Sequence, residues 1–199
     1  GASVEDLRVT DIDGGKYVVV EQRIEGQPAP HVLQDVLTDW IEELHVPRSM
    51  RWNASNVAFS RPIRWLVALL DERVIPLEYA GVPSGRVTRG PRPAGSPEVA
   101  LASAMDYTST LASYGVIIDP EARQQEILSQ AQSVAESVDG MVPDDEDLLE
   151  EVANLVEVPT AVLGSFEKRY LTLPQEVLIA VMRKHQRYFP VLDRRGRIM

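Results

Sequence analysis

Eight arginines stand between positions 48 and 92: Arg48, Arg51, Arg61, Arg64, Arg73, Arg86, Arg89 and Arg92. In that stretch they face only Asp71, Glu72 and Glu78, and there is no lysine. A guanidinium makes forked, planar contacts with phosphate and stacks on flat rings, which an ammonium does less well. A second cationic run, Arg183-Lys184-His185-Gln186-Arg187-Tyr188-Phe189-Pro190-Val191, interleaves charge with aromatic surface. Charge plus a stacking platform is what unpaired nucleic-acid ends require. A purely structural account competes with this one. In it the first arginines are solvated flanks of a buried strand, and the second run ends a helix whose dipole favours cations.

Other chemistry is hard to assemble. There is no phosphate-binding Gly-rich loop with lysine, no dinucleotide fingerprint, no serine elbow and no paired metal histidines. Cysteine is absent, which removes thiolate nucleophiles, disulfides and cysteine-based metal sites. His185 alone has a suggestive setting, and spacing assigns it no serine or carboxylate partner. His31 and His45, at the two ends of a predicted helix, read as structural. Asp144-Asp145-Glu146-Asp147 lacks the alternating ligand spacing of a calcium loop and reads as a solvated helix start.

The elements that must position these groups follow from pattern. Asp13-Gly14-Gly15 followed by the β-rich Lys16–Arg23 predicts a strand leaving a hairpin. Pro28-Ala29-Pro30 ends it. From His31, Val32, Leu33, Val36, Leu37, Trp40, Ile41 and Leu44 recur at helical spacing, with Trp40 expected in the core. Ile63–Leu70 is an apolar run broken only by Arg64, expected as a central strand covered on both faces, with Arg73–Tyr79 returning. Arg64 there needs a partner or an exit to solvent. Gly81 to Pro97 reads as an irregular loop able to approach a ligand closely. Ser96-Pro97-Glu98 predicts a helix running to about Tyr114, Gly115–Ile118 a short strand, and Asp119-Pro120-Glu121 a second helix stopped by Gly140. Its expected stripe is Ile127, Leu128, Ala131, Val134, Ala135 and Val138. Further helices are expected from Pro143–Asp147 and Leu173–Glu176, with a strand at Glu157–Phe166 between them. The order is mixed rather than βαβ-repeating, so the fold class is α+β, a mixed or antiparallel sheet packed with several helices. One domain over 1–199 is expected, with a helical sub-region at about 97–155.

Composition bounds the partners. Net charge is −10 and the pI about 4.8, against a small, wholly basic nucleic-acid module. No apolar run approaches the ~18–20 residues of a membrane span, so no membrane partner is expected. Gly1-Ala2-Ser3 leads straight into charged sequence, so no secretory leader is expected. The missing initial methionine, and a terminal Asp193–Ile198 that reads as a turn opening a hairpin, suggest a fragment of a longer polypeptide.

Met50-Arg51-Trp52, Phe59-Ser60-Arg61-Pro62-Ile63-Arg64-Trp65-Leu66-Val67-Ala68-Leu69, Ala80-Gly81-Val82, Ser84-Gly85-Arg86, Thr88-Arg89-Gly90 and Lys184–Val191 together closely resemble the beta subunit of bacterial glycyl-tRNA synthetase. Asn154-Leu155-Val156-Glu157 and Val162–Phe166 fit the same family, and the likeness runs in order from about Ser3 to the end. It implies an internal segment of a longer beta subunit, similar to the editing-type domain of the phenylalanyl-tRNA synthetase beta chain. It also implies an aminoacyl-tRNA synthetase component in the cytoplasm. There the alpha subunit adenylates glycine with ATP and Mg, and the beta subunit contributes tRNA binding in a heterotetramer of two alpha and two beta chains. Expected partners are glycine-specific tRNA, the alpha subunit and other beta-subunit domains. No cofactor, metal or catalytic residue is expected in this segment. Candidate tRNA contacts are Arg61, Arg64, Arg86, Arg89, Arg92, Lys184, His185 and Arg187. Tyr188 and Phe189 are stacking or core residues, and Arg64, Trp65 and Phe189 are the first expected to prove structural. The chain departs from the family where Thr-Arg-Gly is usually followed by histidine, arginine and an aromatic. Those places hold Pro91, Arg92 and Pro93, so no role of that histidine carries over.

Two rival functions stand beside tRNA binding. One is hydrolytic editing of mischarged tRNA through His185 or a bound water. Physics weighs against it, because glycine is the smallest amino acid and an activation site rejects larger ones by steric exclusion. The other is an architectural module for subunit or domain assembly, which predicts a large exposed apolar patch.

Overall fold

The computed structural model describes residues 3–22 and 25–199. Gly1, Ala2 and the Arg23 end of the predicted first strand lie outside them. The chain is α+β, with short antiparallel and mixed sheets and five α-helices among the described residues.

Strands β1 (Leu7–Ile12) and β2 (Gly15–Val20) form an antiparallel hairpin. Asp13 and Gly14 both take positive φ, 50° and 80°, the type I′ geometry whose twist matches two strands joined by a two-residue loop. Helix α1 (Ala29–Glu42) begins with proline in its first turn, where a missing N–H costs nothing. Its length matches the predicted four turns, but Trp40 is not core. Trp40 is 55% exposed, because Val32 and Trp40 on the helix, and Leu44 just after it, are left uncovered by the described residues.

The expected central strand is instead two short ones that change partner at Ala68. β3 (Leu66–Val67) and β4 (Leu69–Leu70) flank it. Ala68 donates its N–H to Gly85 O and accepts from Ile75 N, so the two sides of the stretch belong to different sheets. β4 pairs antiparallel with β5 (Arg73–Val74). β6 (Glu78–Tyr79) and β7 (Val82–Gly85) pair antiparallel, and β3 joins β7 in parallel. All five residues of Leu66–Leu70 are half-buried, not covered on both faces. Pro76 has no N–H and cannot continue a ladder from β5 to β6. The Ser84 hydroxyl bridges the gap, donating to Ile75 O at 2.7 Å and accepting from Leu77 N at 3.0 Å.

β8 (Val87–Arg89) pairs with β9 (Glu98–Ala100). This overturns the helix predicted from Ser96-Pro97-Glu98. Val99 and Leu101 are buried while Glu98, Ala100 and Ala102 are exposed, so the period is 2 and the sheet, not the proline signature, decides. The helix begins only at α2 (Tyr107–Ala112), after a 3-10 turn whose Ser103 and Asp106 form a capping box. Gly115–Ile118 is not a strand, although Ile117 donates its N–H to Glu157 O at 3.0 Å.

α3 (Pro120–Glu136) starts where predicted, Asp119 Oδ1 accepting from Ala122 N at 2.7 Å. Of its stripe, Ile127 and Ala135 are buried and the others half-buried. α4 (Glu146–Ala153) is capped by Asp145 and packs on α3 through Leu148 and Ala153. The expected strand at Glu157–Phe166 is absent, and the segment runs without a ladder. Its anchor is the Gln130 amide, which donates to Pro159 O at 3.3 Å and accepts from Ala161 N at 3.0 Å. α5 (Gln175–Val181) continues into a π-helical turn, Met182–Gln186, that ends at left-handed Arg187, φ 56°. Leu192 then bridges both Met141 and Ile198, closing the predicted terminal turn.

Candidate nucleic-acid interface

The first cationic stretch is presented by a loop closed on itself. Met50 and Phe59 exchange backbone hydrogen bonds of 2.8 and 3.1 Å. Inside the loop Asn53 Nδ2 donates to Ala80 O at 2.7 Å, tying it to the end of β6. Arg51 Nε donates to Asn56 O at 3.1 Å, a bond within the loop. Arg61 and Arg64 follow on its outgoing arm, exposed on either side of half-buried Ile63. Arg64 thus takes the exit to solvent, the reverse of its expected place among the structural members. Arg92 is exposed on a short 3-10 turn that Pro91 opens and left-handed Gly95 closes. Among the described residues, Arg61, Arg64 and Arg92 make no side-chain hydrogen bond and no ion pair.

Arg86 and Arg89 behave differently. The Arg86 guanidinium spans Leu101 O and Ala102 O, each at 3.1 Å, and Glu72 O at 2.8 Å. It clamps the β4–β5 turn to the end of β9. Arg89 lies opposite Glu98 in the β8–β9 register, donates to Glu98 Oε1 at 2.6 Å and to Ser96 O at 3.2 Å, and sits 5.9 Å above the Trp65 ring. That distance is at the outer edge of a cation–π contact. Trp65 therefore backs a cation while part of its ring stays in solvent.

In the second stretch, helix α4 supplies the counter-charges. Arg183 makes a two-pronged pair with Asp145, Nη2 to Oδ1 at 2.6 Å and Nε to Oδ2. Arg187 Nε donates to Glu151 Oε1 at 2.7 Å. Lys184 and His185 are exposed on the π turn, Tyr188 is exposed, and Phe189 is half-buried ahead of buried Pro190. No carboxylate or hydroxyl is hydrogen-bonded to His185, and no group of three His, Cys, Asp or Glu could hold a metal, among the described residues.

The eight candidates divide into two groups. Arg86, Arg89 and Arg187 are held by internal partners, while Arg61, Arg64, Arg92, Lys184 and His185 face solvent. Sequence reading missed the residues that do the holding. Asn53 carried a readable signal, since its Oδ1 accepts from Ser55 N and Oγ in the Asx turn that Asn-Ala-Ser favours. Arg123, which donates to Ala153 O, Ile117 O and Ile118 O, carried none.

Fold and site together define an α+β protein segment whose short strands, loops and turns carry exposed cations, with Arg89 over the Trp65 ring. Comparison with known proteins supplies the family. The family model described as "Glycyl-tRNA synthetase beta subunit" matches residues 1–199, and the chain belongs to that family. The glycine–tRNA ligase beta subunit of Bacillus subtilis is 44% identical over 199 residues, covering all of this chain and 29% of that protein. Those of Desulforamulus reducens and Desulfitobacterium hafniense are each 42% identical over the same length, again covering 29% of the relative. The chain thus spans under a third of the length of these curated relatives.

Proposed function

We propose that this chain is the tRNA-contacting, non-adenylating segment of a glycine–tRNA ligase beta subunit. It would be one domain over 1–199, similar in fold to the editing-type domain of the phenylalanyl-tRNA synthetase beta chain. In this reading the enzyme is cytoplasmic, and the alpha subunit carries adenylation with ATP and Mg. The segment positions glycine-specific tRNA for charging. The observation that supports the reading is the trio Arg61, Arg64 and Arg92, three exposed arginines with no side-chain hydrogen bond or ion pair among the described residues. Guanidinium groups that the fold does not use for itself are free for phosphate. Lys184 and His185 extend the same role at the C-terminal end.

The test is tRNA titration of the full alpha–beta enzyme at several salt concentrations. About four neutralised phosphates give a slope of log K on log salt near −3 to −4, and Arg61→Ala with Arg64→Ala and Arg92→Ala should flatten it by about 2–3. An unchanged slope removes the reading. Arg86→Ala and Arg89→Ala are poor probes, because both side chains hold the fold together.

A further inference from the structure

The terminal turn carries two cations outside the eight candidates. Arg194, Arg195 and left-handed Gly196, φ 75°, form the loop between Asp193 and Arg197, whose backbones are hydrogen-bonded to each other at 2.7 Å. Asp193 commits its carboxylate to that loop. Oδ1 accepts from Arg195 N at 2.8 Å and Arg197 N at 3.0 Å, and Oδ2 from Arg197 Nε at 3.0 Å and Nη2 at 2.8 Å. These bonds fill the roughly four acceptor sites of a carboxylate, so the one acid of the turn has none left for the Arg194 and Arg195 guanidiniums. Both residues are exposed, and neither side chain makes a hydrogen bond or ion pair among the described residues.

The backbone beneath them is tied down. Gln175, the first residue of α5, donates through Nε2 to Gly196 O at 3.0 Å and accepts from Ile198 N at 3.0 Å. The same helix leads at its other end into the π turn with exposed Lys184 and His185. At 1.5 Å per helical residue, the stretch from Gln175 to Lys184 covers roughly 14 Å.

We infer that Arg194 and Arg195 are two further contacts to the RNA phosphate backbone, at the opposite end of α5 from Lys184. The inference rests on the proposed reading of the chain as a tRNA-contacting segment. Three arginines against one aspartate leave the turn at +2 in a chain of net charge −10, so it is a local attractor for a polyanion. A backbone already held by Asp193 and Gln175 has little left to order on binding.

Titration of the full alpha–beta enzyme with tRNA at several salt concentrations tests this. Arg194→Ala with Arg195→Ala should flatten the slope of log K on log salt by about 1.4–1.8. The melting temperature should stay within about 2 °C, since neither side chain holds the turn. Arg194→Gln with Arg195→Gln, which keeps most of each stem, should flatten the slope equally. Arg8→Ala with Lys16→Ala removes the same charge from exposed positions on the β1–β2 hairpin and should change the slope less than half as much. Equal changes from the two sites would assign the effect to the general field and overturn the inference. So would a slope that Arg61→Ala, Arg64→Ala and Arg92→Ala flatten but the Arg194 and Arg195 variants leave alone. Weaker alpha–beta assembly with that slope intact would likewise overturn it and mark an acidic protein partner. A flat response in the unsubstituted enzyme removes the tRNA reading itself, and this inference with it.

Discussion

Arg86 shows how one side chain can look like a ligand contact and act as a strut. Its three carbonyl partners lie 14 to 16 residues away in sequence and engage three of its five N–H donors. Arg86→Ala should cost about 2 kcal/mol in urea unfolding, since each bond has a charged donor but most of the cluster is near solvent. Arg86→Lys should recover little, because one ammonium cannot span three acceptors in a planar fork. Arg61→Ala should cost under about 0.5 kcal/mol, because Arg61 is exposed and has no side-chain partner among the described residues. Asp193 gives a pH handle at the same scale. The Arg197 N–H, then the Arg197 guanidinium and the Arg195 N–H, stabilise its carboxylate and hold the group below its ordinary value. The folded turn favours the charged form, so its contribution is complete above the ordinary aspartate pKa and lost as pH falls through the lowered one. An NMR titration should show the Arg197 amide shifting at that lower pH, and Asp193→Asn should abolish the step.

At the scale of elements, packing between distant segments decides stability, and Gly140 marks one such place. A Cβ built there would collide with Val191 Cγ1 and lie 3.0 Å from Met199 Sδ and 3.3 Å from Ala135 O. Gly140→Ala should therefore destabilise by about 1–3 kcal/mol in denaturant melts, with Val191→Ala restoring part of the loss in the double variant. The same contrast explains what sequence could reveal. Asp119-Pro120 and the acidic run Pro143–Asp147 announced α3 and α4 correctly, because the cap each supplies, Asp119 and Asp145, is satisfied within four residues. Ser96-Pro97-Glu98 carried the same signature and failed, because the backbone of 98–100 pairs with β8 and Val99 turns into the core. Leu66–Leu70 was legible as extended but not as divided, since the switch at Ala68 depends on Gly85 and Ile75. The cationic surface divides likewise. Residue type marked out all eight candidates, yet which guanidiniums the fold consumes depends on carbonyls and acids the pattern does not place.

Over the whole molecule, charge limits how such a surface can work. Thirty acids stand against twenty Lys and Arg, so the general field repels a polyanion and any binding must be local. Asp145, Glu151 and Glu98 reduce the supply further by pairing with Arg183, Arg187 and Arg89. These pairs differ in how easily RNA could compete for them. Asp145 is 9% exposed and also caps α4, so removing it would disturb the helix as well as the charge. Glu151 and Arg187 are both near half exposed, and a surface pair of that kind contributes about 0–1 kcal/mol, little enough for a phosphate to displace. Glu151→Gln should release Arg187 and make the net charge one unit less negative without unfolding α4. If Arg187 then reaches phosphate, tRNA binding by the full enzyme tightens several-fold at low salt and its salt slope steepens by about 0.7–0.9. Glu150→Gln makes the same change in net charge on the same helix, and Glu150 holds no arginine among the described residues. An equal gain from both variants would assign the effect to the general field and leave Arg187 a strut. A steeper slope in Glu151→Gln alone would place Arg187 in the binding surface, beside the exposed Lys184.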